Sequence, residues 1–218
     1  MQPKFWHERW RSGQIGFHQS TVDRHLKEYW ADLVPLGDGG RFGPLCGKSL
    51  DLTWLRDRGH SVTGVELSAA ALESFCMENG VPATRRTLGE FDVYEAERLR
   101  LLCGDFFALT AGLLGPVSAV YDRASLISWS PELRASYVEH MRQLTRPNTQ
   151  TLLITLEYPQ SQMTGPPFSL SAHDVKQLYG RDHEIRELGR QDVLANEPRL
   201  RARGARELTE VCYRLTRL

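Results

Sequence analysis

The sequence has no excess of charge of either sign, because 27 lysines and arginines balance 27 aspartates and glutamates over its 218 residues. A neutral chain presents no overall field that would hold a polyanion or an acidic membrane surface. We therefore expect neither nucleic acid nor membrane among its partners. The hydrophobic fraction of 41% and the charged fraction of 25% are ordinary for a folded globular protein. A chain of this length can bury a core without disulfide or metal staples.

Paired cysteines and long apolar runs are also missing. The four cysteines are scattered with no C-x-x-C pair, which argues against a zinc site and against an oxidising compartment. The most apolar stretch, residues 101–121, is interrupted by Asp105, by glycines and by Pro116, so it predicts strand, loop and strand rather than a membrane span. Residues 1–9 lack the apolar core of a secretory signal. We expect no bound metal and a cytoplasmic location.

Helical and strand-like segments alternate along the chain. Amphipathic helices are predicted from Ser20, Ser49, Ser68 and Ser130 onward. Strands are predicted up to Leu45 and over residues 61–66, 99–103, 117–121, 149–156 and 208–215. This alternation predicts one α/β domain over residues 1–218, with a mostly parallel sheet covered on both faces. The nine arginines and seven acids from residue 181 to residue 217 predict a solvated face.

Polar residues follow the predicted strands where a ligand would lie. In an open parallel sheet, ligands bind beyond the carboxyl ends of the strands, near the point where strand order reverses. Gly47 lies in the loop after the first strand, Glu66 ends the second, Asp105 follows the third and Arg123 follows the fourth. Glu66 is nineteen residues beyond Gly47, at the place where an acid accepts two hydrogen bonds from a ribose diol. Together these residues predict a nucleoside-sized crevice.

The loop at residues 44–49 lacks the glycines of the common phosphate-binding motifs. A dinucleotide fingerprint needs G-x-G-x-x-G, and this stretch has only Gly47. A P-loop needs a glycine where the chain has Phe42, and Pro44 lacks the backbone N–H that a phosphate cradle uses. A cofactor with a ribose and an adenine but no phosphates needs neither device, and S-adenosylmethionine is the common one. A P-loop-like nucleotide hydrolase and a non-catalytic nucleotide-binding protein stay open as alternatives.

Short motifs follow one another in a distinctive order. They are Phe5-Trp6-His7 with Trp10 and Gly16-Phe17-His18, Pro44-Leu45-Cys46-Gly47-Lys48-Ser49, Arg58-Gly59-His60 with Gly64-Val65-Glu66-Leu67-Ser68, Cys103-Gly104-Asp105-Phe106-Phe107, Tyr121-Asp122-Arg123, and Gly165-Pro166-Pro167-Phe168. Over nearly the whole chain this series resembles the thiopurine S-methyltransferase family, a class I S-adenosylmethionine-dependent methyltransferase group. The last motif lies beyond the fifth parallel strand, in a predicted lid loop.

The resemblance implies a specific version of the α/β fold. It implies a Rossmann-like three-layer sandwich whose mostly parallel, seven-stranded sheet has an antiparallel C-terminal strand. Residues 1–35 would form an N-terminal helical lid, and residues 36–218 the cofactor-binding core. It also implies the site residues. The cofactor contacts are Trp10, Leu45, Glu66 and Arg123, with Trp6 and Asp105 beside them, and the acceptor contacts are Phe17 and Arg123.

The resemblance finally implies the reaction, which is methyl transfer from S-adenosylmethionine to the sulfur of an aromatic or heterocyclic thiol such as a thiopurine. A heteroaromatic thiol is already partly ionised near neutral pH, so we name no catalytic nucleophile or base on the protein. Bacterial relatives are associated with methylating selenium and tellurium compounds and with tellurite resistance, and the sequence leaves the choice of acceptor open. We expect a monomer whose partners are small molecules.

Overall fold

Polar caps and prolines mark where the helices begin. A computed structural model describes residues 3–33 and 39–218. Its α-helices are α1 (Pro3–Arg11), α2 (Arg24–Tyr29), α3 (Leu50–Asp57), α4 (Ala69–Glu78), α5 (Ala111–Leu114), α6 (Pro131–Leu144), α7 (Ala172–Tyr179) and α8 (Pro198–Ala202). Ser49 caps α3 as predicted. The helix predicted from Ser20 begins only at Arg24, because the side chain of Asp23 accepts the first backbone N–H groups of α2.

Nine strands form one sheet within the described residues. They are β1 (Gly40–Gly43), β2 (Val62–Glu66), β3 (Thr84–Leu88), β4 (Phe91–Ala96), β5 (Leu99–Cys103), β6 (Val117–Arg123), β7 (Gln150–Glu157), β8 (His183–Asp192) and β9 (Thr209–Arg217). Their order across the sheet is β3-β4-β5-β2-β1-β6-β7-β9-β8. In this order, the five adjacent strands β5, β2, β1, β6 and β7 pair in parallel, and β9 runs antiparallel to β7. The antiparallel C-terminal strand is as predicted. The sheet as a whole is mixed rather than mostly parallel, with four parallel and four antiparallel pairings.

The sheet has nine strands where seven were expected. The hairpin of β3 and β4 extends one edge and accounts for the difference. No residue of β3 is buried, so the alternation of apolar and polar positions that identifies a half-buried strand is missing there. The first strand is also shorter than predicted, because β1 ends at Gly43 rather than at Leu45. Leu45 has a φ of 45°, which a strand cannot contain.

Helices cover both faces of the sheet and enclose two apolar layers. One layer joins α2, α3 and α4 to the sheet through buried residues such as Leu26, Leu52 and Phe75. The other joins α6 and α7 to the opposite face through residues such as Tyr137 and Val175. Because both faces are covered, β6 is buried along almost its whole length.

The chain reverses its direction across the sheet at β1. Strand β2 lies on one side of β1 and β6 lies on the other, although the chain forms β2 long before β6. The loops that leave β1 and β6 therefore diverge and open a crevice beyond the carboxyl ends of these strands. The predicted boundary between residues 35 and 36 lies outside the described residues.

Candidate functional site

A cavity of about 680 Å³ opens in this crevice. All of the residues predicted for the site line it, and they are Trp6, Trp10, Phe17, Leu45, Glu66, Asp105 and Arg123. They come from α1, from the segment that follows it, and from the carboxyl ends of β1, β2, β5 and β6. The fold thus brings together side chains that are spread over more than half of the sequence.

Glu66 ends β2 with its carboxylate held by two backbone N–H groups. Oε2 accepts from Gly47 N at 2.9 Å, and Oε1 accepts from Ser68 N at 2.9 Å. Only 7% of the residue is exposed. Burial raises the pKa of Glu66, while the hydrogen bonds from Ser68 and Gly47 act to lower it. A carboxylate has about four acceptor positions, so each oxygen can still accept a hydrogen bond from a ligand hydroxyl group.

The loop between β1 and α3 is shaped around Glu66 rather than around a phosphate. The Gly47 N–H points at the carboxylate, and Lys48 Nζ lies 2.7 Å from Oε1 of Glu78. The hydroxyl of Ser49 caps α3 and donates to Asp51. The groups that a P-loop would turn toward a phosphate are thus already occupied within the protein. The geometry does not support the alternative of a P-loop-like hydrolase.

Three aromatic side chains of the N-terminal segment form one wall of the cavity. The ring of Phe17 meets Trp6 and Trp10 edge to face, with centroids 5.7 and 5.5 Å apart. Such contacts are favourable beyond the apolar area they bury. Trp10 also lies over Gly47, because a Cβ atom built on that glycine would be 3.0 Å from Cζ2 of Trp10. The segment that the resemblance assigns to a lid therefore packs on the β1–α3 loop.

Substituting Gly47 by alanine is expected to disturb this packing. Gly47 has a φ of 53°, and an L-residue in that region costs of order 1–2 kcal/mol. The added methyl group would also press on Trp10. Gly80→Ala is the matched control, since Gly80 has a φ of 59° but open space around it. In urea unfolding, Gly47→Ala should lose more stability than Gly80→Ala, and only Gly47→Ala should shift tryptophan emission. Equal losses and unchanged emission in both variants would contradict this packing.

Arg123 is held by an acid on α3. Its Nε lies 3.0 Å from Oδ2 of Asp51, and Asp51 is 1% exposed. Asp51 also accepts the N–H of Asp23 at 2.8 Å. Arg123 does not pair with its neighbour Asp122, whose carboxylate bonds Tyr137 of α6 on the other face of the sheet. The guanidinium is thus fixed at the cavity wall beside the loop that carries Gly47.

Asp122 is buried without a cation. It accepts from the hydroxyl of Tyr137 at 2.7 Å and from the backbone N–H of Leu126 at 3.1 Å. Burial raises the pKa of Asp122 to about 6, although these hydrogen bonds act to lower it. The carboxyl group therefore holds its proton more tightly in the folded chain than in the unfolded chain.

Asp122 should make the protein more stable in mild acid. The folded pKa of about 6 exceeds the ordinary value of 3.8. Its stabilising contribution is therefore complete below about pH 4 and is lost as the pH rises through 6. Two pH units correspond to about 3 kcal/mol. Asp122→Asn should remove this dependence. From pH 4 to pH 7 the free energy of unfolding of the unmodified protein should fall by about 3 kcal/mol more than that of the variant.

Urea titrations at several pH values measure this difference. The exposed substitution Asp32→Asn is the control, and its curve should follow that of the unmodified protein. A constant difference between Asp122→Asn and the unmodified protein from pH 4 to pH 7 would contradict the assignment.

The remaining wall of the cavity comes from a part of the chain that was predicted to be a solvated face. Residues between β8 and β9 contribute Glu197, Arg199 and Arg203, and β9 contributes Glu210. The prediction holds for Arg199 and Arg203, which are exposed, and it is wrong for Glu210, whose side chain is 16% exposed and pairs with Arg24 and His25. The sequence contains a pattern that places Arg199 and Arg203 on the same side of a helix. They are one helical turn apart and follow Pro198, which is a good first residue for a helix. Pro166 and Pro167, expected in a lid loop, also line the cavity.

The described residues contain neither a metal-binding cluster nor a helix that could span a membrane. Between residues 3 and 33 and from 39 onward, no group of three or more His, Cys, Asp and Glu side chains is placed to hold a metal ion. The four cysteines are free thiols. Among the helices described above, none is long and apolar enough to cross a bilayer.

Comparison with known proteins agrees with this geometry. The family model described as Thiopurine S-methyltransferase (TPMT) matches residues 1–218. The chain is 46% identical to a thiopurine S-methyltransferase of Nitrosospira multiformis over 216 residues, covering 99% of this chain and 98% of the relative. It is also 46% identical to one of Methylococcus capsulatus, covering 98% of this chain and 96% of the relative.

Solved structures of low sequence identity share the fold. A SAM-dependent methyltransferase from Anabaena variabilis superposes with a TM-score of 0.67 at 14% identity, covering 99% of this chain and 95% of the other. The 1,6-didemethyltoxoflavin-N1-methyltransferase of Burkholderia thailandensis, solved with S-adenosylhomocysteine, gives 0.61 at 15% identity, covering 98% and 87%. The predicted Rossmann-like methyltransferase fold is confirmed.

Proposed function

Because the chain belongs to the thiopurine S-methyltransferase family, we propose that it methylates the sulfur of aromatic or heterocyclic thiols such as thiopurines. The protein is an S-adenosylmethionine-dependent methyltransferase. We propose the class of acceptor and the residues that bind the two substrates. We also propose that the protein is a monomer and acts on small molecules. The observation that carries it is that Glu66 and the aromatic side chains of the N-terminal segment line the same cavity.

The residues at the strand ends fit the methyl donor. Glu66 is fixed by two backbone N–H groups and keeps acceptor positions for the hydroxyl groups of a ribose. Arg123 offers a buried positive charge next to the β1–α3 loop, where Leu45 adds an apolar surface. Asp105 accepts the N–H of Phe107 at 2.9 Å and thereby shapes the loop after β5. We propose that these residues, with Trp6 and Trp10, hold S-adenosylmethionine.

The contribution of the protein to the reaction is positioning and exclusion of water. When bound, S-adenosylmethionine supplies an electrophilic methyl group on a positively charged sulfur. Phe17 and Arg123 would hold the acceptor so that its sulfur faces that methyl group, and such orientation provides much of the rate enhancement in a bimolecular transfer. Trp6, Trp10 and Phe17 would keep water out of the reacting region. An ionised thiol needs no base, so no side chain is assigned that role.

Selenium and tellurium compounds are included as further acceptors. Their reduced forms are soft nucleophiles like a thiolate, and the same positioning serves them. Tellurite resistance would then be a consequence of this activity.

Transfer of label from methyl-labelled S-adenosylmethionine tests the proposal. The purified protein is incubated with thiopurines, thiophenol and selenium oxyanions together with a thiol reductant, and labelled methyl sulfides or selenides are identified by mass. Label is expected on the sulfur of at least one aromatic thiol. A protein that binds S-adenosylhomocysteine but labels no sulfur or selenium acceptor would contradict the proposal and would favour a non-catalytic binding protein.

A further inference from the structure

Two arginines on the cavity wall have no acid to pair with. Arg9 is on α1, and Arg203 directly follows α8, so they reach the cavity from different parts of the chain. Among residues 3–33 and 39–218, no carboxylate oxygen lies within 4.0 Å of either guanidinium group. Unpaired arginines in a concave site attract anions, because the planar guanidinium matches a carboxylate well.

Arg9 is poorly satisfied by its surroundings. Its Nε is buried and has no hydrogen-bond partner. One terminal nitrogen donates to the carbonyl of Gln14 at a long 3.4 Å, and the guanidinium carbon lies 4.6 Å from the centroid of the Phe5 ring. Burial and then the positive charge of Arg203 lower the pKa of Arg9. The two positive charges repel each other, and an anion placed between them would reduce this repulsion.

Arg203 is anchored so that part of its guanidinium remains available. Nη1 donates to the carbonyl oxygen of Pro166 at 2.7 Å, and Pro166 itself lines the cavity. This hydrogen bond uses one of the five N–H groups of an arginine. The remaining N–H groups have no partner among the described residues.

Two other charged side chains of the cavity have ionic partners. Glu210 lies 2.8 Å from both Arg24 and His25. Arg123 pairs with Asp51. Arg199 of α8 also lines the cavity and has no carboxylate oxygen within 4.0 Å among the described residues. Arg9 and Arg203 differ from Arg199 because Arg203 is the cation whose charge acts on Arg9, and the Nε of Arg9 is buried without a hydrogen-bond partner.

We propose that Arg9 and Arg203 bind a carboxylate carried by the acceptor, so that aromatic thiols with a ring carboxylate are preferred substrates. This inference rests on the proposed function. Trp6 precedes Arg9 by three residues and therefore shares its face of α1. It also lines the cavity and contacts Phe17. An aromatic ring placed against Trp6 and Phe17 would direct its carboxylate to the arginines and leave its sulfur toward the Glu66 side.

The carboxylate of the methyl donor is the competing anion, and the test separates the two. We compare kcat/KM for 4-mercaptobenzoate with kcat/KM for thiophenol in the unmodified protein and in Arg9→Gln, Arg203→Gln and the double variant. The ratio should fall about 10-fold in each single variant, as expected for losing one charge-assisted hydrogen bond. Arg203→Lys should retain part of the preference. Arg201→Gln is the control, because Arg201 is exposed on α8 and does not line the cavity.

A second measurement does not depend on turnover. Calorimetry in saturating S-adenosylhomocysteine should show tighter binding of 4-(methylthio)benzoate than of thioanisole, and this difference should shrink in the double variant. An unchanged ratio of kcat/KM values and an unchanged difference in binding would overturn the inference. Variants that weaken the binding of S-adenosylhomocysteine while the acceptor preference stays the same would also overturn it. If neither thiol is methylated, the proposed function fails, and the calorimetry still decides whether the two arginines bind a carboxylate.

Discussion

Glu66→Gln is expected to weaken the binding of S-adenosylhomocysteine by about 100-fold or more, which corresponds to about 3 kcal/mol. Each oxygen of the carboxylate accepts one backbone N–H, from Gly47 and from Ser68. Glutamine has a single acceptor oxygen, so its amide group would turn an N–H toward one of these donors. The side chain must then rotate away, and both its ligand contacts and its hold on the β1–α3 loop are lost. Hydrogen bonds to a charged group contribute about 1.5–3 kcal/mol each.

Isothermal titration of S-adenosylhomocysteine measures this effect. Glu90→Gln is the matched control, since Glu90 is exposed in the turn between β3 and β4, far along the chain from the cavity. Urea unfolding of both variants should show a loss of stability for Glu66→Gln of about 1–3 kcal/mol, the cost of one unsatisfied buried N–H group. A dissociation constant within twofold of the unmodified value in a folded Glu66→Gln variant would remove Glu66 from the cofactor site.

Asp51→Asn is expected to lower the free energy of unfolding by about 3–5 kcal/mol, the usual cost of removing one partner of a buried ion pair. Asp51 is 1% exposed and bonds Arg123, Ser49 and the backbone of Asp23. Without its charge, the guanidinium of Arg123 stays buried without compensation. For a protein of this size, the melting temperature should fall by about 2–4 °C for each kcal/mol.

Asp57→Asn is the control for this experiment. Asp57 is on the same helix and pairs with Arg56, but it is 61% exposed, and such surface pairs contribute about 0–1 kcal/mol. The double variant Asp51→Leu with Arg123→Met should be more stable than Asp51→Asn, because an apolar pair replaces a lone buried charge. If Asp51→Asn loses no more stability than Asp57→Asn, the ion pair does not hold this region together.

Local patterns were sufficient to predict the residues that leave the parallel strands. Glu66 was identified by its distance from Gly47 and by its position at a strand end, and both are properties of a few adjacent residues. Helix α3 was identified by its cap at Ser49. These features depend on backbone geometry, which short sequences specify well.

Pairings between distant residues were not accessible in the same way. Asp51, the partner of Arg123, is 72 residues away in the chain, so no local pattern indicates this ion pair. Arg203 is exposed, in agreement with the predicted solvated face, but charge composition does not indicate that this residue also borders the cavity. Hairpin β3–β4 has one strand with no buried residue, so no periodicity was available to identify it. In each case the deciding information is in the packing of segments that are far apart in the chain.

Helix α1 buries none of its residues, and this has a kinetic consequence. Its residues belong to neither of the two core layers, so its detachment would leave both layers intact. Segments of this kind open with a much lower free energy than global unfolding. For a ligand bound beneath the rings of Trp6, Trp10 and Phe17, as the proposed function has it, the residence time would depend on how often the rings separate, and a ligand that fills the space between them would dissociate more slowly.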